Sequence, residues 1–315
     1  MKRVLLAAGL CAGLAQAADP LPAHDAAALL QSVADASTRY AYQGTFIVQH
    51  GERIQTLQVS NRPSTEGKES RLVGLDGEQR EVRCTRGESV SIVGEGARAR
   101  QERRVGNRHF PDILPPDAGR LVSWYDVRPG GTDRVAGLDC NVYSIVPKDQ
   151  YRWGYVLCVD KNAQLPLKAA LVDSRGRPLM QYTFADVRIT PAAGAPAAAR
   201  TAAMAMATAS AAPRAIASGS VEVRQLPPGF ARVIAVKRPI AGGRAEVEHW
   251  VFSDGLTHIS MFVEPVASNT VNLRGASQRG MTNLRTLRVG NSQVTVVGDA
   301  PAPAVDMISN TLASR

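Results

Sequence analysis

The chain has 315 residues, with 37 Lys and Arg against 28 Asp and Glu, a formal charge of +9 that falls to +7 without Lys2 and Arg3. Counted by region the excess is thin: residues 18–189 carry 23 basic and 21 acidic groups, and residues 220–315 carry 10 and 7. That excludes the dense basic face of a nucleic-acid binder and suits anionic membrane surfaces, lipid phosphates or an acidic protein partner.

Residues 1–17, MKRVLLAAGLCAGLAQA, combine a basic start, an apolar stretch from Val4 to Leu14 and a small-x-small site at Ala15-Gln16-Ala17. This pattern reads as an export signal cut before Ala18, and it is too short to span a bilayer. Ala8-Gly9-Leu10 before Cys11 is a poor lipoprotein box. Export places Cys84, Cys140 and Cys158 in an oxidising compartment.

A helix is expected over Asp25 to Arg39, with Ala28, Leu29, Ser32, Val33 and Ala36 on its apolar face. Strands follow. "TFIVQHG" and "RIQTLQVSN" flank a turn at His50-Gly51-Glu52, and "EVRCTRGESVSIVG" turns about Arg86-Gly87. A third hairpin, Asp139 to Asp160, turns near Asp149, and a fourth, Leu165 to Ile189, turns at Arg175-Gly176. Strand after strand joined by tight turns implies one strongly curved antiparallel sheet around an apolar concavity, with the N-terminal helix and the Pro111–Arg120 region left to cover a face. In the third hairpin Cys140 and Cys158 are equidistant from the turn and so lie opposite each other, within reach of a disulfide. Cys84 is then left over; the alternative is three thiols in the core. "RARQERRVGNRH" sets Arg98, Arg100, Arg103, Arg104 and Arg108 against Glu102. Arginine forks there suit phosphates or carboxylates, and a solvated loop is the plain alternative.

From Thr190 to Gly219 half the residues are alanine, with prolines at 191, 196 and 213. Without an apolar stripe to dock it, this stretch reads as a linker. It separates a domain at 18–189 from one at 220–315. Within the second, "HWVFSDGLTHISMFVEP" (His249 to Pro265) reads as a hairpin tipped by Asp254-Gly255. That register sets Ser253 against Leu256, Trp250 against Ile259 and Glu248 against Met261. Trp250, Phe252, Ile259, Met261 and Val263 share one face. His249 and His258 share the other, diagonally adjacent, with Ser260 opposite His249. A metal site or a pH-sensing pair is conceivable there, and a half-wet polar face is the simpler reading.

Chemistry is scarce. The five histidines form no His-Glu-x-x-His, no Cys-x-x-Cys spacing occurs, and there is no Gly-x-Ser-x-Gly elbow or P-loop. "GEGARA" (Gly94 to Ala99) imitates a dinucleotide fingerprint without the helix that should follow. No cofactor is expected, and an enzyme reading lacks a nucleophile beside a base.

The chain resembles the RseB/MucB family of periplasmic regulators of the extracytoplasmic-stress sigma factor. The resemblance rests on Tyr42 to Val59, Arg80 to Val82, Asp133 to Cys140 and Pro147 to Phe184 in the first domain. In the second it rests on "LPPGF" (Leu226 to Phe230), Val251 to Pro265 and Val294 to Val305. It implies an α+β protein: a large N-terminal domain like the lipoprotein carriers, an unclosed, curved antiparallel β-barrel with helices, and a small C-terminal α+β domain. It also implies a periplasmic location and a grip on the periplasmic domain of an inner-membrane anti-sigma factor, shielding it from proteolysis. Lipopolysaccharide or another acylated ligand would loosen the grip; a homo-oligomer is also conceivable. On this reading Tyr42, Phe46, Val48, Leu57, Val59, Trp124 and Tyr155 line the lipid cavity. Phe230, Trp250, Phe252, Ser253, Asp254, Gly255, Leu256 and Met261 bind the partner, with the tip Ser253 to Leu256 accessible. Arg98, Arg100, Arg103 and Arg104 contact anions. Cys158 stands where relatives are expected to carry a large aromatic, and Trp153 where they carry tyrosine, which bears on cavity size. A lipid or lipoprotein carrier is the competing reading, and the second domain with its linker argues against it.

Overall fold

The computed structural model describes residues 18–64, 67–85, 88–94, 99–105, 109–192, 214–215, 219–239, 246–266 and 274–314. The export signal, Arg98 and most of the linker lie outside these residues.

Helix α1 (Ala23–Arg39) leads directly into a sheet of eleven strands. These are β1 (Tyr40–His50), β2 (Arg53–Ser64), β3 (Gly67–Gly74), β4 (Arg80–Thr85), β5 (Glu88–Val93), β6 (Arg100–Val105), β7 (Tyr125–Val135), β8 (Leu138–Pro147), β9 (Gly154–Asp160), β10 (Pro166–Val172) and β11 (Pro178–Pro191). Their order is β6-β5-β4-β3-β2-β1-β11-β10-β9-β8-β7, so β1 pairs with β11 and the sheet remains unclosed between β6 and β7. Every neighbour pair is antiparallel: all but β1–β11 are consecutive strands joined by a hairpin or a short return, and β1–β11 pairs the first strand with the last. The Arg100 to Arg104 run is thus strand β6 rather than a loop.

The expected hollow is full. Tyr42, Phe46, Val59, Val127, Ile145, Leu157 and Phe184 are buried on one face of the sheet. Over them lie α1 and the segment from Phe110 to Leu121. Phe110 inserts among Phe46, Tyr182 and Phe184, with ring centroids 5.0, 5.4 and 5.0 Å away. Val48, Leu57, Trp124 and Tyr155 are only partly buried at the margin of this core. The helix presents Ala26, Leu30, Val33, Ala34, Ala36 and Ser37 to the core; Val33 and Ala36 are as expected, whereas Ala28 is exposed and Leu29 and Ser32 are half-buried, so the face is rotated in part. Two contacts turn it. Gly119 packs close to Ala27, and Ser37 is drawn inward by hydrogen bonds to Asp112 and from Lys68.

A second, seven-stranded sheet follows. It comprises β12 (Arg214–Ala215), β14 (Ala231–Pro239), β15 (Glu246–Ser253), β16 (His258–Pro265), β17 (Gly275–Arg279), β18 (Thr282–Val289) and β19 (Ser292–Gly298). Its order is β12-β14-β15-β16-β19-β18-β17. Helix α2 (Ala302–Asn310) covers it, and β13 (Val221–Val223) pairs with β20 (Leu312–Ser314) alongside. The interval expected as linker therefore contributes at both ends, Thr190 and Pro191 to β11 and Arg214-Ala215 as an edge strand on β14. Trp250, Phe252, Ile259, Met261 and Val263 meet Val305 and Ile308 of α2 in the small core.

Cys140 and Cys158 are joined in a disulfide, and Cys84 is free and buried. The register differs from the expected one by two residues. Cys140 pairs with Asp160 and Cys158 with Val142, so the bridge runs between diagonal neighbours with Cα atoms 5.4 Å apart. The turn is longer because Asp149 and Arg152, within it, are held by the contacts described below. Cys140→Ala with Cys158→Ala reopens a loop of 18 residues. It is expected to cost about 3 kcal/mol through a looser unfolded chain, read as a lower urea midpoint with a steeper slope, since that chain exposes more surface. An unchanged midpoint would contradict the bridge.

Candidate functional site

The tip of the β15–β16 hairpin meets the large domain. Asp254 does not sit in a two-residue turn: Ser253 pairs with His258 and Trp250 with Met261, leaving Asp254 to Thr257 as the loop. The two faces of the hairpin are nevertheless the expected ones, because the shift is of two residues. One Asp254 oxygen, Oδ1, accepts the backbone N–H groups of Leu256 and Thr257 at 2.9 and 2.7 Å. The other, Oδ2, accepts from Tyr125 Oη and Arg152 Nη1, both at 3.0 Å. Neither Asp254 nor Arg152 exposes any of its side chain.

Arg152 is the centre of this seam. Besides Asp254 it donates to Asp149 Oδ1 at 3.0 Å and to the Pro228 carbonyl. Its guanidinium also lies against the rings of Trp124, Tyr125 and Phe230, at 5.2, 5.6 and 5.4 Å. Arginine suits this place because its planar fork serves several acceptors while its faces stack on rings. Burial first, then the Asp254 carboxylate and Tyr155, push the Tyr125 phenol well above its usual range, so it remains a donor.

Two glycines permit the close approach. At Gly229 φ is +78°, and a Cβ would fall 2.3 Å from the Trp124 indole. At Gly255 φ is +106°, and Pro115 and Leu121 lie at ordinary contact distance or slightly inside it. Elsewhere Gly280 touches His50, and Asp299 acts electrostatically on Tyr182. The small domain therefore stands across the end of the large sheet formed by its β1–β2 and β8–β9 turns. Between the domains runs a cleft of about 670 Å³, lined in part by Pro115, Arg120, Trp124, Ala231, Val233 and His258.

These contacts overturn the expected accessibility of the tip. Ser253 and Leu256 are buried, and Leu256 joins the core of the large domain. Trp250, Phe252 and Met261 are buried in the small core, and Phe230 is buried beneath Arg152. Ser253, Asp254 and Gly255 line the cleft. The two histidines are apart: His249 pairs with Phe262 and stacks on it at 4.5 Å, with Ser260 Oγ 3.2 Å away, whereas exposed His258 pairs with Ser253. Of the basic run, Arg100 is exposed, while Arg103 and Arg104 pair with Val90 and Ser89 through the β5–β6 ladder. Nearby, hydrogen bonds from Arg71 and Arg83 pull the Glu81 carboxyl down to about 2. No group of His, Cys, Asp or Glu among the described residues could hold a metal ion. No helix among them is long and apolar enough to cross a membrane.

Arg152, Asp149, Tyr125, Pro228 and Gly229 were not singled out as site residues from the sequence. The available signal was Asp149 and Arg152 three apart in a turn between apolar strands, and a Pro-Pro-Gly turn at 227–229.

Comparison with known proteins gives this two-domain arrangement a context. Residues 25–213 match the MucB/RseB N-terminal domain, and residues 217–313 match the MucB/RseB C-terminal domain. The chain belongs to the MucB/RseB family. It is 29% identical over 307 residues to the sigma factor AlgU regulatory protein MucB of Pseudomonas aeruginosa, covering 95% of this chain and 94% of that one. It is 25% identical over 313 residues to the sigma-E factor regulatory protein RseB of Escherichia coli K12, covering 90% and 89%. The family is regulatory, not enzymatic. Among solved structures, the Pseudomonas aeruginosa MucA/MucB complex aligns at a TM-score of 0.72 with 26% identity, covering 92% of this chain and 99% of that one. MucB alone aligns at 0.63 with 25% identity, covering 93% and 98%.

Arg152→Met leaves the Asp254 carboxylate buried without its guanidinium and is expected to cost about 3–5 kcal/mol in urea unfolding, whereas Asp254→Asn, with Arg152 still paired to Asp149, is expected to cost less. Equal effects of the two would contradict the ion-pair account. Gly229→Ala should spread the seam and speed backbone hydrogen exchange at residues 226–230, leaving α2 protected. Unchanged exchange there would refute the close approach to Trp124.

Proposed function

We propose that this protein is a periplasmic regulator that binds the periplasmic region of a membrane anti-sigma factor and shields it from regulated proteolysis. The observation that carries this reading is the interdomain seam, a closed ionic contact beside an open cleft. The existence of a solved complex of a MucB with MucA supports it. So does the better alignment with MucB in that complex than with MucB alone, at 0.72 against 0.63 over similar coverage. Two arrangements of the same pair of domains, one suited to the partner, would produce such a difference.

Of the partner-binding positions expected from the sequence, Ser253, Asp254 and Gly255 take the contact role, because they line the cleft. Phe230, Trp250, Phe252, Leu256 and Met261 keep the shape of that wall from within the cores.

Release is a linked equilibrium. An acylated ligand such as lipopolysaccharide frees the partner only if it prefers the partner-free arrangement of the domains. Typical couplings of about 1–3 kcal/mol suffice, and burying a few methylenes at about 0.8 kcal/mol each supplies them. Since the concave face is filled by its own cover, a ligand at Tyr42, Phe46 and Val59 must also displace that cover.

The test is calorimetric titration of residues 18–315 with the anti-sigma factor's periplasmic segment, repeated with lipopolysaccharide. A micromolar or tighter complex that lipopolysaccharide weakens is expected. No complex at micromolar concentration would transfer the assignment to a lipid or lipoprotein carrier.

A further inference from the structure

The small sheet has two edges, and the chain treats them differently. At one edge the two residues of β12 add themselves to β14, opposite Val236 and Lys237. At the other, β17 pairs with β18 on one side and with no strand among the described residues on its other side. Residues 274–280 are all exposed. Edge strands are commonly blunted by a proline, a bulge or a covering element, because a row of free N–H and C=O groups is a template for another strand. Over Gly275–Arg279 there is no proline, and the pairing with β18 runs without a register shift.

Charge around this edge is of one sign. From Pro265 to Gly298 the sequence holds four arginines, Arg274, Arg279, Arg285 and Arg288, and no lysine, aspartate or glutamate. The register divides them between two faces. Arg285 lies opposite Ala276 and beside Val296, on the side that meets α2, whereas Arg279 lies opposite Thr282 on the other side. Helix α2 packs on β18 and β19, and between it and β17 is a trough of about 280 Å³. Ala276, Gln278, Arg285, Ala302 and Asp306 line it. Asp306 accepts from Arg285 Nε and, at 2.9 Å, from Nη2. The third nitrogen, Nη1, has no partner among the described residues, and part of the side chain is open to solvent.

We propose that the open edge of β17 takes an extended acidic protein segment as an added strand, with one of its carboxylates seated in the trough on Arg285 Nη1. Main-chain pairing to an exposed edge supplies the affinity in this mode, and pockets for alternate side chains supply the choice of sequence. On the α2 side an acidic residue meets Arg285, whose planar fork serves two carboxylates at once. On the other side its neighbours in the segment meet Arg279, and Arg274 stands immediately before the strand. This surface is separate from the cleft between the domains, which is lined by Ala231 and Val233 of β14 on the far side of the sheet. The inference therefore stands or falls independently of the regulatory reading.

The test uses residues 18–315 and two peptides of about eight residues, a little longer than β17, in which threonine alternates with glutamate or with glutamine. Binding is followed calorimetrically and by backbone amide exchange at residues 275–279. The glutamate peptide is expected to bind about tenfold tighter than the glutamine peptide, the value of one charge-assisted hydrogen bond, and to slow exchange along β17. Methylating alternate backbone nitrogens of the glutamate peptide gives two further probes. One of them should lose binding and the other keep it, because only alternate N–H groups of an added strand face its neighbour. Arg285→Gln with Asp306→Asn keeps the shape without the charges and should remove most of the preference for glutamate. Should that variant fold poorly, Arg274→Gln with Arg279→Gln, at exposed positions, should weaken the glutamate peptide and leave the glutamine peptide unchanged. Equal binding of the two peptides, or two methylated peptides that bind as well as the parent, would overturn the proposal. So would phosphatidylglycerol vesicles that slow exchange in β17 where the glutamate peptide does not, the behaviour of a lipid-facing cationic patch.

Discussion

The arrangement of this molecule depends on a charge that its own domain satisfies only in part, through Asp149. Arg152 comes from the β8–β9 turn of the large domain, and two of its acceptors, Asp254 and the Pro228 carbonyl, come from the small one. With the domains apart, the arginine would face water, keep Asp149, Trp124 and Tyr125 of its own domain and lose Phe230, while Asp254 would lose both Tyr125 and the guanidinium. A buried pair of this kind contributes little net stability compared with apolar packing but penalises every geometry in which one partner is missing. It therefore fixes the angle between domains more than it strengthens their association.

Such a constraint suits a regulator. Apolar contacts slide at modest cost, whereas a forked ion pair capped by backbone N–H groups has one good geometry. The cleft beside the seam shares Asp254, Gly255, Trp124 and Leu121 with it. A segment seated in the cleft and the angle between the domains thus bear on the same residues. At the far end of the large sheet the Lys68–Asp112 pair holds the cover in a similar way, and the apolar core between the two ends is continuous from Tyr42 to Tyr125. The domain seam and the cover are two polar fastenings on one packed core.

Much of the fold was legible because it is local. Gly51-Glu52 and Arg175-Gly176 punctuate strands at the places where hairpins turn, and period-2 alternation identified which side of β15 and β16 meets α2. The partnership of Cys140 with Cys158 followed from the same counting. What escaped was set by long-range contacts. Asp254-Gly255 has the composition of a tight two-residue turn, yet its carboxylate is engaged by Arg152 and Tyr125, and the loop widens to four residues to allow it. The Asp149 turn lengthens for the same reason, which displaced the register around the disulfide. Phe110 carries no periodicity that would reveal it as the filling of the concavity, so the sheet was expected to enclose a hollow. The arginine-rich stretch concealed β6 because an edge strand with one neighbour needs few apolar residues.

The claim on which the account turns is that the Arg152–Asp254 contact sets the relation between the domains and that the partner uses that relation. Single-molecule energy transfer between a dye on the β10–β11 turn of the large domain and one on the β17–β18 turn of the small domain measures it directly. The account predicts one narrow distance for the wild type, a broad distribution for Asp254→Asn, and a return to the narrow distance when the anti-sigma segment is added. Identical distributions for the two proteins, or a partner that binds both equally well without narrowing either, would contradict it.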